Sequence, residues 1–100
     1  MEEKLKQIIN YYGVASQQRK LQEEVFELQE SIIKWENQEP NLSYIKANEL
    51  KQEIEKEYAD VLNVLEQFKI HYRLSEHNIN ENRIYKIDRQ LERIKDGKDK

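Results

Sequence analysis

Two short groups of acidic residues carry the chemistry that this sequence offers. The segment "EEVFE" sets Glu24 and Glu27 three residues apart, and "EYAD" repeats that spacing with Glu57 and Asp60. A helix turns by about 100° per residue, so two side chains at this spacing lie on one side of it, about 60° apart. Aliphatic residues flank both groups. Two antiparallel helices would therefore present four carboxylates to a shared groove.

Four carboxylates facing one another would repel, and some would take up protons unless a cation joined them. A cluster of oxygen ligands without cysteine or histidine suits Mg²⁺ or Mn²⁺ rather than zinc, and Mg²⁺ commonly also binds phosphate oxygens. This reading predicts a divalent-metal site for a phosphorylated ligand. The alternative is an ordinary solvated helix face, because a chain with 20 acidic residues produces such spacings by chance.

The elements that must position these acids are long helices, since glycine occurs twice and proline once and turns draw on both. Gly13 and Gly97 are placed to end helices, and Ser16, Ser43 and Asn80 to cap their N-termini. The predicted helices cover residues 2–12, 16–36, 43–74 and 80–97.

Apolar residues recur at intervals of three and four in each of the longer helices, which indicates one apolar stripe per helix. The stripes are Leu21, Val25, Leu28 and Ile32; Leu50, Ile54, Tyr58, Val61, Leu65, Phe68 and Tyr72; and Ile84, Ile87, Leu91 and Ile94. Narrow stripes favour an all-α, four-helix-type bundle, with a short N-terminal helix and three longer ones. We predict a single domain over residues 1–97, a disordered tail over 98–100, and completion of the core in a homodimer or homotetramer.

The composition excludes several classes of function. A net charge of −3 provides no basic footprint for a nucleic-acid duplex. The absence of cysteine removes disulfides, thiolate zinc sites and cysteine nucleophiles. No apolar run approaches the roughly 18 residues of a membrane span, and the N-terminal segment does not read as a secretory signal. We therefore expect no membrane partner and a cytoplasmic location.

Taken together, the two acidic groups resemble the paired EExxE and ExxD signature of the MazG-like nucleoside triphosphate pyrophosphohydrolases, in the all-α NTP pyrophosphatase superfamily. The flanking segments "YYGVASQQRKLQEEVFEL", "EYADVLNVLEQF" and "KIDRQLERIKDG" are similar to those of short phage-type or Firmicute-type members. The resemblance runs from about Tyr11 to Gly97. It implies Mg²⁺-dependent hydrolysis of an NTP or dNTP to the monophosphate and pyrophosphate, in a house-cleaning role, with the substrate base left open.

The resemblance also implies roles for the acidic residues. Glu24, Glu27, Glu57 and Asp60 correspond to the metal ligands, and Glu24 joins Glu23 in the catalytic set. Glu23 would orient a ligand or help to position the attacking water. No residue type in the sequence offers a better nucleophile than such a water.

Basic and amide side chains are candidates for binding the triphosphate. The resemblance points to Lys86 and Arg89, and less strongly to Arg93, in the last helix, although these residues also have acidic neighbours to pair with. Gln17 and Lys20 are further candidates on the helix that carries the first acids.

Two more residues are candidates for substrate contacts. Asn63 follows Asp60 among aliphatic residues, and a buried amide there would need a partner, such as a ligand or an acid. Trp35 offers a ring that could stack on a nucleobase, although a place in a subunit interface is the favoured reading. Two other functions stay open: a non-catalytic helical adaptor that keeps this fold, and a coiled-coil-like interaction protein whose acids only decorate the surface.

Overall fold

The computed structural model describes residues 1–97, which form four α-helices and, over that range, no strand. The helices are α1 (Glu2–Tyr12), α2 (Val14–Glu36), α3 (Tyr44–His71) and α4 (Glu76–Lys95). The prediction of an all-α, four-helix chain is thus confirmed. The predicted tail over 98–100 lies outside the described residues.

The junction of α1 and α2 is a single glycine. Gly13 has φ 88° and ψ 156°, and its N–H donates to the carbonyl of Ile9, which closes α1 as predicted. This backbone conformation is essentially restricted to glycine. α2 then begins at Val14, so the prediction that Ser16 caps it is wrong; one glycine suffices to redirect the chain.

Serine side chains cap the other two helices. The hydroxyl of Ser43 accepts a hydrogen bond from the N–H of Lys46 at 3.2 Å, as predicted for the start of α3. At α4 the capping residue is Ser75, whose hydroxyl accepts from the N–H of Asn78 at 3.1 Å. α4 therefore begins before Asn80, the predicted cap, because the earlier serine already satisfies its first free N–H groups.

α2 and α3 pack along each other as an antiparallel pair, and α1 lies against both. The buried hydrophobic side chains are few among the described residues: Leu5 and Ile9 of α1 and Val64 of α3. The remaining buried side chains are polar, namely Gln17, Glu24, Ser31, Glu57 and Gln67. The interior of this three-helix unit is therefore unusually polar.

The buried faces of α2 and α3 differ from the predicted stripes. Val25 and Ile32 are 39% and 41% exposed, while Glu24 and Ser31, one position before each, are buried. On α3, Tyr58 is 56% exposed beside buried Glu57. These helices carry apolar residues on two sides, and hydrophobicity alone does not tell which side meets a neighbouring helix of the same chain.

α4 stands apart from the three-helix unit. Within the described residues, no Cα of α4 lies within 8 Å of a Cα of α1, α2 or α3. An ion pair between Lys69 at the end of α3 and Glu76 at the start of α4 spans the connection. None of the helices in the described range is long and apolar enough to cross a membrane.

Candidate metal centre

Three of the four predicted metal ligands meet inside the three-helix unit. Glu24 of α2 and Glu57 and Asp60 of α3 each bring one carboxylate oxygen to within 4.8 Å of the others. Glu24 is 4% exposed and Glu57 is 8% exposed, while Asp60 is half-buried. The spacing of three residues puts both α3 acids on the face that meets α2.

Two of the oxygens in this cluster have no hydrogen-bond partner in the described part of the chain. They are Oε2 of Glu24 and Oε2 of Glu57, and both are buried. An ionised oxygen buried without a partner is costly, and native proteins rarely leave one so. Hard oxygen donors with unused lone pairs are the ligands that Mg²⁺ and Mn²⁺ prefer, so the residues present fit such an ion.

The fourth predicted ligand, Glu27, lies at the margin of the cluster. Its side chain is exposed, but its charge acts on Glu57. Burial raises the pKa of Glu57 above its ordinary value, and the charges of Glu27 and Asp60 and a hydrogen bond with Glu53 raise it further. The cluster thus holds more negative charge than the metal-free protein tolerates easily.

A cation already reaches the cluster from α2. Nζ of Lys20 lies 2.9 Å from Oε1 of Glu24, one helical turn away. This hydrogen bond and the charge of Glu24 raise the pKa of Lys20, to which the charges of Glu23 and Glu27 add. Lys20 therefore offsets part of the negative charge and occupies one of the two oxygens of Glu24.

A cavity of about 340 Å³ opens beside this ion pair. It collects three predicted residues, Gln17, Lys20 and Glu23, from successive turns of α2. The full lining is Ile8, Tyr12, Ser16, Gln17, Arg19, Lys20 and Glu23. Lys20 lines the cavity and also binds Glu24, so this side chain links the cavity to the acid cluster, although none of the three clustered acids lines the cavity itself.

Sequence reasoning missed two residues beside this site and one buried polar residue elsewhere on α3. Arg19 lines the cavity next to Lys20, and its signal was the basic pair in "QQRK". Glu53, one turn earlier on α3, adds to the rise in the pKa of Glu57. Gln67 is 3% exposed, and its Oε1 is unpartnered within the described residues. Its signal was a spacing of seven residues from Asp60, which repeats the same helix face.

The other predicted substrate residues do not join the site. Asn63 is exposed, so its predicted burial is wrong. The buried residue is the next one along the chain, Val64. It lines a larger, mostly apolar cavity of about 630 Å³ with residues of α1, including Leu5. Lys86 and Arg89 are exposed on α4, which does not pack against the helices of the cluster.

Trp35 is half-buried near the end of α2. Nζ of Lys51 lies 5.4 Å from the centroid of its ring, an arrangement that allows a cation–π interaction. Eleven residues of helix separate Trp35 from Glu24, or about 16 Å at 1.5 Å per residue. One face of the ring is therefore engaged within the chain, at a distance from the acids.

Comparisons with known proteins add no relative to this description. No family model, no curated protein and no solved structure matches the chain.

Proposed function

We propose that this protein is a Mg²⁺-dependent nucleoside triphosphate pyrophosphohydrolase that converts an NTP or dNTP to the monophosphate and pyrophosphate. The observation that carries the proposal is the buried cluster of Glu24, Glu57 and Asp60 with two unpartnered carboxylate oxygens. A surface decorated with acids has no reason to bury them against one another. The paired acidic motifs in the sequence support the same class of reaction.

The cluster would hold the metal through Glu24, Glu57 and Asp60, with Glu27 close enough to add charge or a further oxygen. A bound Mg²⁺ or Mn²⁺ supplies charge stabilisation for the phosphates and activates water for attack. The chain's own part is to hold the carboxylates close together, and the bound ion would offset the cost of ionising Glu57 there. The polar interior of α2 and α3 does this by fixing the register in which Glu24 meets Glu57 and Asp60.

The adjoining cavity would receive the triphosphate. Lys20 and Arg19 offer cationic groups to the phosphates, and Gln17 offers an amide beside them. Glu23, which also lines the cavity, would accept a hydrogen bond from the attacking water. In the proposed reaction, the water oxygen bonds to the α-phosphorus and gives up a proton to solvent, while the bond from that phosphorus to the bridging oxygen breaks. Pyrophosphate then leaves with the bridging oxygen.

The proposal includes a homodimer or homotetramer acting in the cytoplasm. Exposed aliphatic and aromatic side chains on α2, α3 and α4 support self-association, because monomers rarely expose so much apolar surface. Lys86 and Arg89 belong to this part of the proposal. They would contact the substrate of a neighbouring copy rather than that of their own chain.

A non-catalytic adaptor with the same fold is the second candidate. It is favoured by the separation of α4 and its basic residues from the acid cluster. Such a protein would bind the metal ion for stability and use its exposed surfaces for contacts.

Pyrophosphate release over a panel of NTPs and dNTPs with Mg²⁺ tests the proposal. We expect release with the wild-type chain and with Glu30→Gln, an exposed control on the same helix. Release should be lost in Glu24→Gln and Asp60→Asn. Stabilisation by Mg²⁺ without release of pyrophosphate from any substrate would favour the adaptor instead.

A further inference from the structure

The apolar stripe of α4 has no partner within the described chain. Ile84, Ile87, Leu91 and Ile94 are all more than half exposed, on a helix that approaches no other helix within 8 Å. An isolated helix of twenty residues is only marginally stable in water, and most helices in proteins depend on packing of an apolar face. The stripe therefore calls for another surface to cover it.

We propose that α4 pairs with α4 of a second copy as an antiparallel two-stranded coiled coil. The stripe steps by three, four and three residues, which is the heptad pattern of such a seam. Ile84 and Leu91 occupy its a positions, and Ile87 and Ile94 its d positions. In the antiparallel register Ile84 packs against the partner's Ile94, and Ile87 against the partner's Leu91.

The charges beside the seam are self-complementary in this register. The e positions are Glu81, Asp88 and Lys95, and antiparallel helices set e positions beside e positions. Glu81 then lies beside the partner's Lys95, and the two-fold axis repeats the pair. Asp88 lies beside the partner's Asp88, which is the one repulsive contact among these positions. Opposite charges beside a seam select the partner and its orientation.

A parallel pair fits the same residues less well. It would set Arg83 beside the partner's Asp88, which is favourable, but also Glu76 beside the partner's Glu81, which is repulsive. It would also bury Asn80 against the partner's Asn80 in the seam. The antiparallel register confines the overlap to the apolar stripe and leaves Asn80 beyond its end.

The pairing leaves three basic side chains of α4 unengaged. Lys86 and Arg93 fall at c positions and Arg89 at an f position, on the side away from the seam. The α4 pair would thus join two three-helix units and keep a basic outer surface. This inference does not depend on the proposed enzymatic function, because it concerns a different surface.

The size of the seam determines the expected dissociation constant and so the protein concentrations to be used. A twenty-residue helix is about 30 Å long, and one pair buries less than the roughly 800 Å² per partner of a standard interface. We therefore expect a dissociation constant in the micromolar range, measurable by sedimentation velocity from about 1 to 200 µM. The full chain is used, without metal or nucleotide, so the result is independent of catalysis.

Charge variants test the register. We expect Glu81→Lys and Lys95→Glu each to weaken association by about five-fold, since each creates two like-charge pairs. An equimolar mixture of the two variants should restore association, because every pair in the mixed dimer joins opposite charges. Asp88→Asn should strengthen association. Asn82→Lys, at an f position, is the matched control and should have no effect.

Ile87→Asp tests the seam itself. It should weaken association at least about 100-fold and leave the melting of the three-helix unit unchanged, because α4 does not pack on it. If Ile87→Asp leaves the mass unchanged, or if the mixed charge variants do not recover, the proposal is wrong. It is equally overturned if Asp88→Asn weakens association, or if Leu62→Asp in the α1–α3 cavity dissociates the dimer while the α4 charge variants do not.

Discussion

Lys20 binds one oxygen of the Glu24 carboxylate, and the other oxygen is buried without a partner in the described chain. The ammonium group, at 2.9 Å, thus satisfies half of a group that is almost wholly removed from water. Glu57, across the interface between α2 and α3, also has a buried unpartnered oxygen. The position between these two oxygens is where an additional cation would gain most.

Replacing Glu24 tests whether a cation binds there. For the wild-type chain, Mg²⁺ at about 100 times its dissociation constant should add about 2.7 kcal/mol to the free energy of unfolding, and so raise Tm by about 11 to 22 °C. Glu24→Gln should abolish most of this shift, while exposed Glu30→Gln should retain it. Differential scanning fluorimetry with and without Mg²⁺ measures both, and an equal shift in Glu24→Gln would rule out Glu24 as a ligand.

Lys20 should affect metal and substrate in opposite directions. In Lys20→Met the cluster loses its neighbouring positive charge, so the metal-free chain should melt at a lower temperature and gain more from added Mg²⁺. Under the proposed function, the loss of this positive charge should also raise KM for the triphosphate. Lys34→Met, on the exposed last turn of α2, is the matched control. A smaller Mg²⁺-induced shift in Lys20→Met than in wild type would contradict this account.

The raised pKa of Glu57 gives stability a distinctive pH dependence. In the folded chain Glu57 binds its proton more tightly than at the ordinary value of 4.5. As the pH falls through the raised pKa, protonation of Glu57 therefore increases the free energy of unfolding. This increase is complete below a pH of about 4.5, the ordinary pKa of the group. At pH 7.5 without metal, Glu57→Gln should melt higher than wild type, and the difference should shrink near pH 5.

Thermal unfolding at the two pH values in the presence of a chelator measures this difference. Glu55→Gln, at an exposed position of the same helix, controls for the loss of one charge. If Glu57→Gln melted below wild type at pH 7.5, ionisation of Glu57 would not be a cost to the metal-free fold.

Replacing Gly13 with a residue that has a Cβ should destabilise the fold. An alanine at this position would have to adopt a φ of 88°, although its Cβ would meet no atom within 4 Å. Gly13→Ala should therefore lower the free energy of unfolding by about 1 to 3 kcal/mol through backbone strain alone. Urea denaturation measures it. Gly97→Ala, also at positive φ but after the unpacked α4, should leave the unfolding of α1–α3 unchanged.

Two arginines distinguish the cavity from α4 as the phosphate-binding surface. Arg19 lines the cavity beside Lys20, whereas Arg89 lies on the helix that stands apart. In a pyrophosphate-release assay, Arg19→Ala should raise KM by about ten-fold, in line with loss of one charge-assisted hydrogen bond. Arg89→Ala should change it less. The reverse order would mean that α4 of a neighbouring copy, and not the cavity, provides the stronger phosphate contacts.

The sequence predicted the helices and the acid pairing because both are local. Gly13 and Ser43 mark helix ends through their own backbone and side-chain chemistry, and a spacing of three residues puts Glu57 and Asp60 on one face whatever lies opposite. Which side of each helix is buried does not follow from local sequence. Val25 and Glu24 differ by one position, and only the neighbouring helix decides which of them is buried.

The substrate residues show the same division. Gln17, Lys20 and Glu23 share a face of α2, so their spacing predicts their meeting in one cavity. Whether Lys86 and Arg89 reach the acid cluster depends on where α4 lies, and the periodicity of α4 does not predict its position. Gln67 was missed because its spacing of seven residues from Asp60 shows that the two share a helix face but not that this face is buried at Gln67.

The polar interior also bears on how this protein would respond to selection. Well-packed aliphatic residues in place of buried charges often make a protein more stable. Apolar substitutions at positions 24 and 57 should therefore stabilise the metal-free fold. A screen for heat resistance alone would draw substitutions to these two positions. A screen that also demands turnover would keep them acidic, and heat resistance would have to come from elsewhere in the chain.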